Sequence, residues 1–125
     1  MPMTSKLKIL VAEDDSCISE ITEMILKMEG YEVETAQTAE GAISAMSTGR
    51  FSAVILDITL PGMEIEQFVA KLKSLSNRPA IIILSARPIL ELDSIAARLG
   101  VSQVLQKPAG MDQLLKAVAS ATTRS

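Results

Sequence analysis

The chain of 125 residues contains no histidine, no tryptophan and a single cysteine, Cys17. Without histidine it has no histidine general base, no histidine metal ligand and no residue that could become phosphohistidine. One cysteine excludes an internal disulfide framework and is typical of a reducing compartment. We therefore expect a cytoplasmic protein whose chemistry comes from other side chains.

Long apolar segments and basic clusters are missing as well. No apolar run approaches the roughly 20 residues that a membrane helix needs. The N-terminal segment MPMTSKLK lacks the apolar centre of a secretion signal. The net charge is −3, whereas binding to a phosphate backbone needs clustered Lys and Arg. We expect neither membrane insertion nor direct binding to nucleic acid.

What the chain does contain is a regular alternation of short apolar runs with longer segments of helical period. The predicted strands are KILVA (8–12), YEVET (31–35), AVIL (53–56), AIIIL (80–84) and QVLQ (103–106). Each segment between or after them carries an apolar stripe, in the first helix formed by Ile18, Ile21, Ile25 and Met28. Strands that alternate with helices indicate parallel βαβ units with right-handed crossovers.

The apolar content of each predicted strand indicates its place in the sheet. The runs ILVA, AVIL and AIIIL are uninterrupted, as expected for central strands that are covered on both faces. YEVET alternates with Glu32 and Glu34, and QVLQ is short with polar ends, so both are predicted to be edge strands. The simplest strand order is 2-1-3-4-5, a flavodoxin-like (βα)5 doubly wound parallel sheet of the α/β class in a single domain.

Polar residues follow the central strands and the last edge strand. Glu13 and Asp14 follow the first strand, Asp57 the third, Ser85 the fourth and Lys107 the fifth. Because the carboxyl ends of parallel strands lie at one edge of a sheet, we expect these residues to converge where ligands of such sheets bind. Taken singly, Ser85 reads as a turn residue and Lys107 as a solvated surface lysine. Their joint placement indicates a functional site.

The charges in this cluster restrict its chemistry. Two carboxylates about 4 Å apart repel by on the order of 4 kcal/mol at an effective dielectric near 20. Glu13, Asp14 and Asp57 therefore need a cation, and Lys107 supplies one positive charge for three carboxylates. An oxygen-liganded Mg²⁺ fits the remainder and would attract a phosphoryl group. The pattern favours phosphoryl transfer with Asp57 as the nucleophile. The next residues, Asp15 and Ser16, also suit the N-cap of the first helix.

Four short motifs resemble those of one known family. They are ILVAEDD, VILDITLPGM, IIILSA and VLQKPAG, with 43 residues from Asp14 to Asp57, 28 more to Ser85 and 22 more to Lys107. In this order and spacing they resemble the receiver domain of two-component response regulators over about residues 7–121. The resemblance implies a phosphorelay protein in which Asp57 accepts a phosphoryl group from a sensor histidine kinase or a histidine phosphotransfer protein. Such a domain assists its own phosphorylation and dephosphorylation and is not otherwise an enzyme.

The resemblance also implies a metal site of Mg²⁺ or Mn²⁺ around Asp57. Asp14 resembles the direct metal ligand of the family, and Glu13 resembles the neighbour that acts mostly through water. The backbone carbonyl of Thr59 lies at the third protein ligand position.

Phosphate binding and switching are implied for the last two motifs. Ser85, followed by Ala86, resembles the switch hydroxyl, and Lys107 resembles the phosphate-binding lysine. The Lys107–Pro108 bond resembles the cis peptide bond of the family, which makes Pro108 a cis-proline candidate.

One position departs from the family pattern. The family usually carries Tyr or Phe three residues before the lysine, where this chain has Val104. Valine is stiff at χ1 and too short to swing as that aromatic does. We therefore predict that the signal leaves through the loop after Ser85 and the fourth helix. A downstream protein target is expected on the face of the fourth helix, fifth strand and fifth helix, with the chain a monomer or weak dimer.

Residues 1–6 are expected to form a short leader, 7–121 the receiver domain and 122–125 a tail, with no output domain in the chain. Two other functions fit parts of the pattern. A pseudo-receiver would bind partners without phosphorylation. A haloacid-dehalogenase-like phosphatase uses similar groups, but its nucleophile motif resembles D-x-D-x-T with the acidic pair last. Here the text is DIT, with Thr59 in place of the second aspartate, and the pair comes first.

Overall fold

Five strands and five helices alternate in the computed structural model, which describes residues 7–75, 79–101, 103–107 and 110–122. The strands are β1 (Lys8–Ala12), β2 (Glu32–Ala36), β3 (Ala53–Asp57), β4 (Ala80–Ser85) and β5 (Gln103–Gln106). The helices are α1 (Ser16–Met28), α2 (Ala39–Thr48), α3 (Ile65–Lys73), α4 (Ile89–Leu99) and α5 (Met111–Thr122). Within these ranges, no helix combines the length and apolar character needed to cross a membrane.

The strands form one parallel sheet in the order β2-β1-β3-β4-β5, which confirms the predicted fold class. Every residue of β3 is buried, and β1 and β4 are buried except at their first residues. The residues of β2 and β5 are partly or fully exposed, so both are edge strands as predicted. Central strands that are covered on both faces hold their carboxyl ends rigidly, and this rigidity positions the site.

The bounds of three strands differ from the prediction, and β2 ends one residue later, at Ala36. β2 starts at Glu32 because the Tyr31 backbone N–H donates to the Leu26 carbonyl and so belongs to the end of α1. β3 and β4 extend one residue further than predicted and include Asp57 and Ser85. Asp57 remains in register with Leu84 of β4, and the Ser85 carbonyl accepts from the Lys107 N–H at 2.7 Å.

Each face of the sheet packs on its own apolar core. The larger core lies under α2, α3 and α4, and the smaller one under α1 and α5. The apolar stripe predicted on α1 faces the core only in part, since Ile25 packs against the smaller core whereas Ile21 is 56% and Met28 77% exposed. Ser19, Thr22 and Leu26 face the sheet instead. Both stripes fit the helical period and lie next to each other on α1. The sequence prediction takes the more apolar stripe, but the stripe with the small Ser19 and Thr22 faces the sheet.

Candidate functional site

The predicted site residues lie at the carboxyl edge of the sheet. Glu13 follows β1, Asp57 ends β3, Ser85 ends β4 and Lys107 follows β5. The Glu13 N–H donates to the Ala36 carbonyl at 2.9 Å, which continues the pairing with β2 and turns the chain over the edge. Side chains from distant parts of the sequence therefore meet above the central strands.

Asp57 is 4% exposed, and the hydrogen bonds to its side chain come from two of the described residues, Thr59 and Lys107. Its Oδ1 accepts from both the backbone N–H and the side-chain hydroxyl of Thr59, each at 3.0 Å. Its Oδ2 accepts from Lys107 Nζ at 2.9 Å. Aspartate side chains often accept a hydrogen bond from the backbone N–H two residues later at the start of a turn. Here that turn begins where β3 ends. Both carboxylate oxygens are thus fixed in direction.

Glu13 is 1% exposed and only partly satisfied. Its Oε2 accepts from the Asp15 N–H at 3.2 Å. Its Oε1 lies 3.0 Å from Lys107 Nζ, within ion-pair distance but outside hydrogen-bond geometry. Among the described residues, this buried oxygen is left without a hydrogen-bond donor. A buried carboxylate oxygen in that state is costly, and a cation would satisfy it.

The three carboxylates form one acidic pocket. One oxygen each from Glu13, Asp14 and Asp57 lie within 4.8 Å of one another, and Asp14 is exposed to solvent. Lys107 is the one cation paired with this group in the described residues, which leaves a net negative charge. Carboxylates, waters and a phosphate group are the ligands that Mg²⁺ prefers. The donor set and the unsatisfied oxygen of Glu13 therefore fit a divalent cation.

The pKa directions follow from burial and pairing. Burial raises the pKa of Glu13 above its ordinary value, and Lys107 and the Asp15 N–H offset this only in part. Burial also opposes ionisation of Asp57, but the hydrogen bonds from Thr59 and Lys107 together with the Lys107 charge outweigh it and lower its pKa. The same two carboxylates raise the pKa of Lys107 despite its burial. Asp57 is therefore a carboxylate and Lys107 an ammonium at neutral pH, as a nucleophile and its electrostatic partner must be.

The remaining predicted residues lie around this pocket. Ser85 is fully buried, its Oγ accepts from the Arg87 N–H at 3.0 Å, and Ala86 beside it is exposed. Val104 is half-buried and packs against the larger core. Pro108 lies outside the described residues. The roles of Ser85, Ala86 and the Thr59 carbonyl stay predictions.

Asp15 is the N-cap of α1, as the sequence also allows, since its Oδ1 accepts from the N–H groups of Cys17 and Ile18 at 2.9 and 3.1 Å. Two other contacts were not predicted. One is the hydroxyl bond from Thr59 to Asp57. The other joins the Gln106 side chain to the Arg87 carbonyl. The alternation of side chains along β5 from Val104 could have placed Gln106 on that face, but not its partner.

Solved structures that match this fold include receiver domains. A CheY-like receiver domain protein from Methanospirillum hungatei matches with a TM-score of 0.85 and 30% identity, over 94% of both chains. The chemotaxis response regulator CheY4 of Vibrio cholerae matches with a TM-score of 0.86 and 27% identity, over 94% of this chain and 99% of that one.

Sequence relatives give the same class. The response regulator MprA of Mycolicibacterium vanbaalenii is 31% identical over 87% of this chain and 47% of its own length. The transcriptional regulatory protein BasR of Escherichia coli is 29% identical over 86% of this chain and 49% of its own length. The chain thus spans about half the length of the curated relatives it matches.

A family profile for the response regulator receiver domain matches residues 9–119. The chain belongs to this family and is a receiver domain of two-component phosphorelay signalling. Members of the family bind Mg²⁺ at an acidic pocket and interact with histidine kinases or phosphotransfer proteins. The match favours this class over the phosphatase alternative.

Proposed function

We propose that Asp57 accepts a phosphoryl group from a phosphohistidine on a sensor histidine kinase or a histidine phosphotransfer protein. The surroundings of Asp57 carry the proposal. Its carboxylate is buried, its pKa is lowered, and Lys107 Nζ lies 2.9 Å from Oδ2. Oxygens of Glu13 and Asp14 complete an acidic pocket around it. A buried nucleophile beside a cation and a metal-binding pocket suits phosphoryl transfer.

The transfer requires one bond to form and one to break. A carboxylate oxygen of Asp57 attacks phosphorus, and the bond between phosphorus and the imidazole nitrogen of the donor breaks. The electron pair of that bond stays on the nitrogen, which takes up a proton. Negative charge spreads over the phosphoryl oxygens, and catalysis consists mainly of positioning and charge stabilisation. The Lys107 ammonium and the Ser85 hydroxyl provide both.

The pocket would hold Mg²⁺ or Mn²⁺ through Glu13, Asp14, Asp57 and the backbone carbonyl of Thr59. When bound, the ion supplies positive charge against the phosphoryl oxygens. The ion would also satisfy the buried Oε1 of Glu13, which has no hydrogen-bond donor in the part of the chain that the structure describes.

The test is incubation of the full chain with acetyl phosphate and Mg²⁺, followed by intact mass measurement. We expect a phosphoryl adduct on the wild-type chain that is absent without Mg²⁺ and absent in Asp57→Asn. An adduct that persists in Asp57→Asn would overturn the assignment, and absence of any adduct would favour the pseudo-receiver. Sustained hydrolysis of phosphate monoesters would favour the phosphatase.

We propose that the donor protein docks on α1. An apolar groove of about 430 Å³ between α1 and α5 is lined by Ile18, Ile21, Ile25 and Leu114, and it reaches Lys107. A helix that carried phosphohistidine and filled this groove would bring its phosphoryl group to the Asp57 pocket. The exposed part of the apolar stripe of α1 would then be a docking surface.

Ile21→Glu tests the docking proposal. The side chain is 56% exposed, so the change should leave the fold and the reaction with acetyl phosphate intact. Phosphotransfer from a protein donor that phosphorylates the wild-type chain should fall by about tenfold, since burial of an isoleucine is worth roughly 1.5–3 kcal/mol. Leu90→Glu is the control. Leu90 is exposed on α4, away from the groove, so this change should not slow phosphotransfer from the donor protein. Equal transfer to wild type and Ile21→Glu would contradict the proposal.

A downstream protein target is proposed on the face of α4, β5 and α5. Exposed apolar side chains on both helices support this, since Leu90 is 94% and Met111 53% exposed. We also propose that the protein is cytoplasmic, that its receiver domain spans residues 7–121, and that it is a monomer or weak dimer.

A further inference from the structure

A side-chain hydrogen bond joins β5 to the loop between β4 and α4. Gln106 Nε2 donates to the backbone carbonyl of Arg87 at 3.1 Å. Gln106 is also the residue of β5 that lies in register with Ser85 of β4. The end of β5 therefore contacts both the end of β4 and the loop that follows it.

Arg87 is bound through both of its backbone groups. Its N–H donates to the hydroxyl oxygen of Ser85 at 3.0 Å, and its carbonyl accepts from Gln106. Ser85 is fully buried, whereas Arg87 is exposed, so the loop is freer to move than the strand that precedes it. A rotation of Ser85 about χ1, which displaces Oγ, must carry the Arg87 N–H with it or break this bond. If Arg87 is carried along, the carbonyl that Gln106 contacts moves as well.

Gln106 lies on the side of β5 that faces α4. Val104 packs against the core under α2, α3 and α4, and side chains two residues apart on a strand share a face. The Val104 side chain has no hydrogen-bonding group, whereas Gln106 is longer, flexible and carries a donor. Of the two, Gln106 is the residue that contacts the loop at Arg87.

We propose that Gln106 is a positioning residue that couples Ser85 to β5 through the Arg87 carbonyl. The inference rests on the proposed phosphorylation of Asp57. When Ser85 turns about χ1 so that its hydroxyl donates to a phosphoryl oxygen, the displaced Oγ carries Arg87 with it, and the hydrogen bond from Gln106 passes the displacement to β5. The chain thus replaces the swinging aromatic of its family with a polar contact on the same strand.

The test compares Gln106→Met with the wild-type full chain. Methionine keeps the length of the side chain and removes the donor. Backbone amide resonances are recorded with and without acetyl phosphate and Mg²⁺, and phosphorylation of each sample is read by intact mass. In the wild type we expect phosphorylation to shift the amides of Arg87, Val104 and Leu105. In Gln106→Met we expect the same adduct and a shift at Arg87, but loss of the shifts at Val104 and Leu105.

Gln103→Met is the matched control. Gln103 lies on the same strand but its side chain points to α5, where Nε2 donates to Ser120 Oγ at 3.4 Å. This variant should respond to phosphorylation as the wild type does. Undiminished shifts at Val104 and Leu105 in Gln106→Met would overturn the coupling role while the adduct upheld Asp57 as the acceptor. Failure of the wild-type chain to form an adduct would overturn both.

Discussion

The two ends of the site differ in how closely they follow the pattern of the family. The acidic end consists of Glu13, Asp14, Asp57, Thr59 and Lys107. The exit end consists of Ser85, Ala86, Arg87, Val104 and Gln106. In the acidic end the family residues are present and its buried charges are in contact. In the exit end the aromatic is missing and the contacts are between neutral groups, from the buried Ser85 to the exposed Arg87 and on to Gln106.

The difference has a physical cause. Charges buried together must match in number, sign and position, because an unpaired buried charge costs several kcal/mol. A contact that transmits movement needs only to change when the loop moves, and side chains of different kinds can make it. The acidic end therefore tolerates little substitution, whereas the exit end can be rebuilt with other residues.

The largest effect should come from Lys107→Met in the acidic end. The change keeps the aliphatic stem and leaves the carboxylates of Glu13 and Asp57 without their shared ammonium. Removal of one partner from a buried ion pair typically costs about 3–5 kcal/mol. We expect the free energy of unfolding without Mg²⁺ to fall by about 3 kcal/mol and the reaction with acetyl phosphate to be lost. Urea unfolding and intact mass measure the two effects.

Mg²⁺ should restore part of the stability of Lys107→Met, because the ion supplies the positive charge that the variant lacks. Lys116→Met removes an exposed lysine of α5 and should change neither measurement. If Lys107→Met were as stable as the wild type without Mg²⁺, the carboxylates would not depend on the lysine, and the contrast between the two ends would lose its basis.

Glu13→Gln should have a smaller effect that depends on pH. Burial raises the pKa of Glu13, so the unfolded chain loses this proton at lower pH than the folded chain. As pH rises from the unfolded pKa to the folded one, the folded state loses stability. Glutamine does not ionise. We therefore expect the metal-free variant to be more stable than the wild type at neutral pH, and this gain to vanish in acid where Glu13 is protonated.

The same change should weaken Mg²⁺ binding by about tenfold, since a residue that supports the ligands typically contributes 10–100-fold to metal affinity. Thermal unfolding across pH and a Mg²⁺ titration measure the two effects. Glu20→Gln, at an exposed position of α1, is the control and should change neither. A metal-free Glu13→Gln chain that was less stable than wild type at neutral pH would show that the pair with Lys107 outweighs burial.

The acidic end and the sheet order could be predicted from the sequence because both follow from short local patterns. Uninterrupted apolar runs indicate central strands, and the residue after each run lies at the carboxyl edge. Asp57 and Ser85 each follow such a run, and Lys107 follows the last edge strand.

The inward face of α1 and the contacts of the exit end could not be predicted in the same way. Helical period locates two neighbouring stripes on α1, and the choice between Ile21 and Thr22 depends on how closely the helix packs on the sheet. The bonds from Thr59 to Asp57 and from Gln106 to Arg87 depend on rotamers and loop geometry. Neither is encoded in residue spacing.

The smallest effect should come from Val104→Ala in the exit end. The side chain is half-buried against the larger core, and removal of its two methyl groups should cost about 1 kcal/mol of unfolding free energy. Val101 is also half-buried against this core but precedes β5, so Val101→Ala should cost about as much. Both variants should form the Asp57 adduct, and in both the amide of Leu105 should still shift on phosphorylation. Loss of that shift in Val104→Ala but not in Val101→Ala would mean that valine packing, and not the Gln106 hydrogen bond, carries the signal to β5.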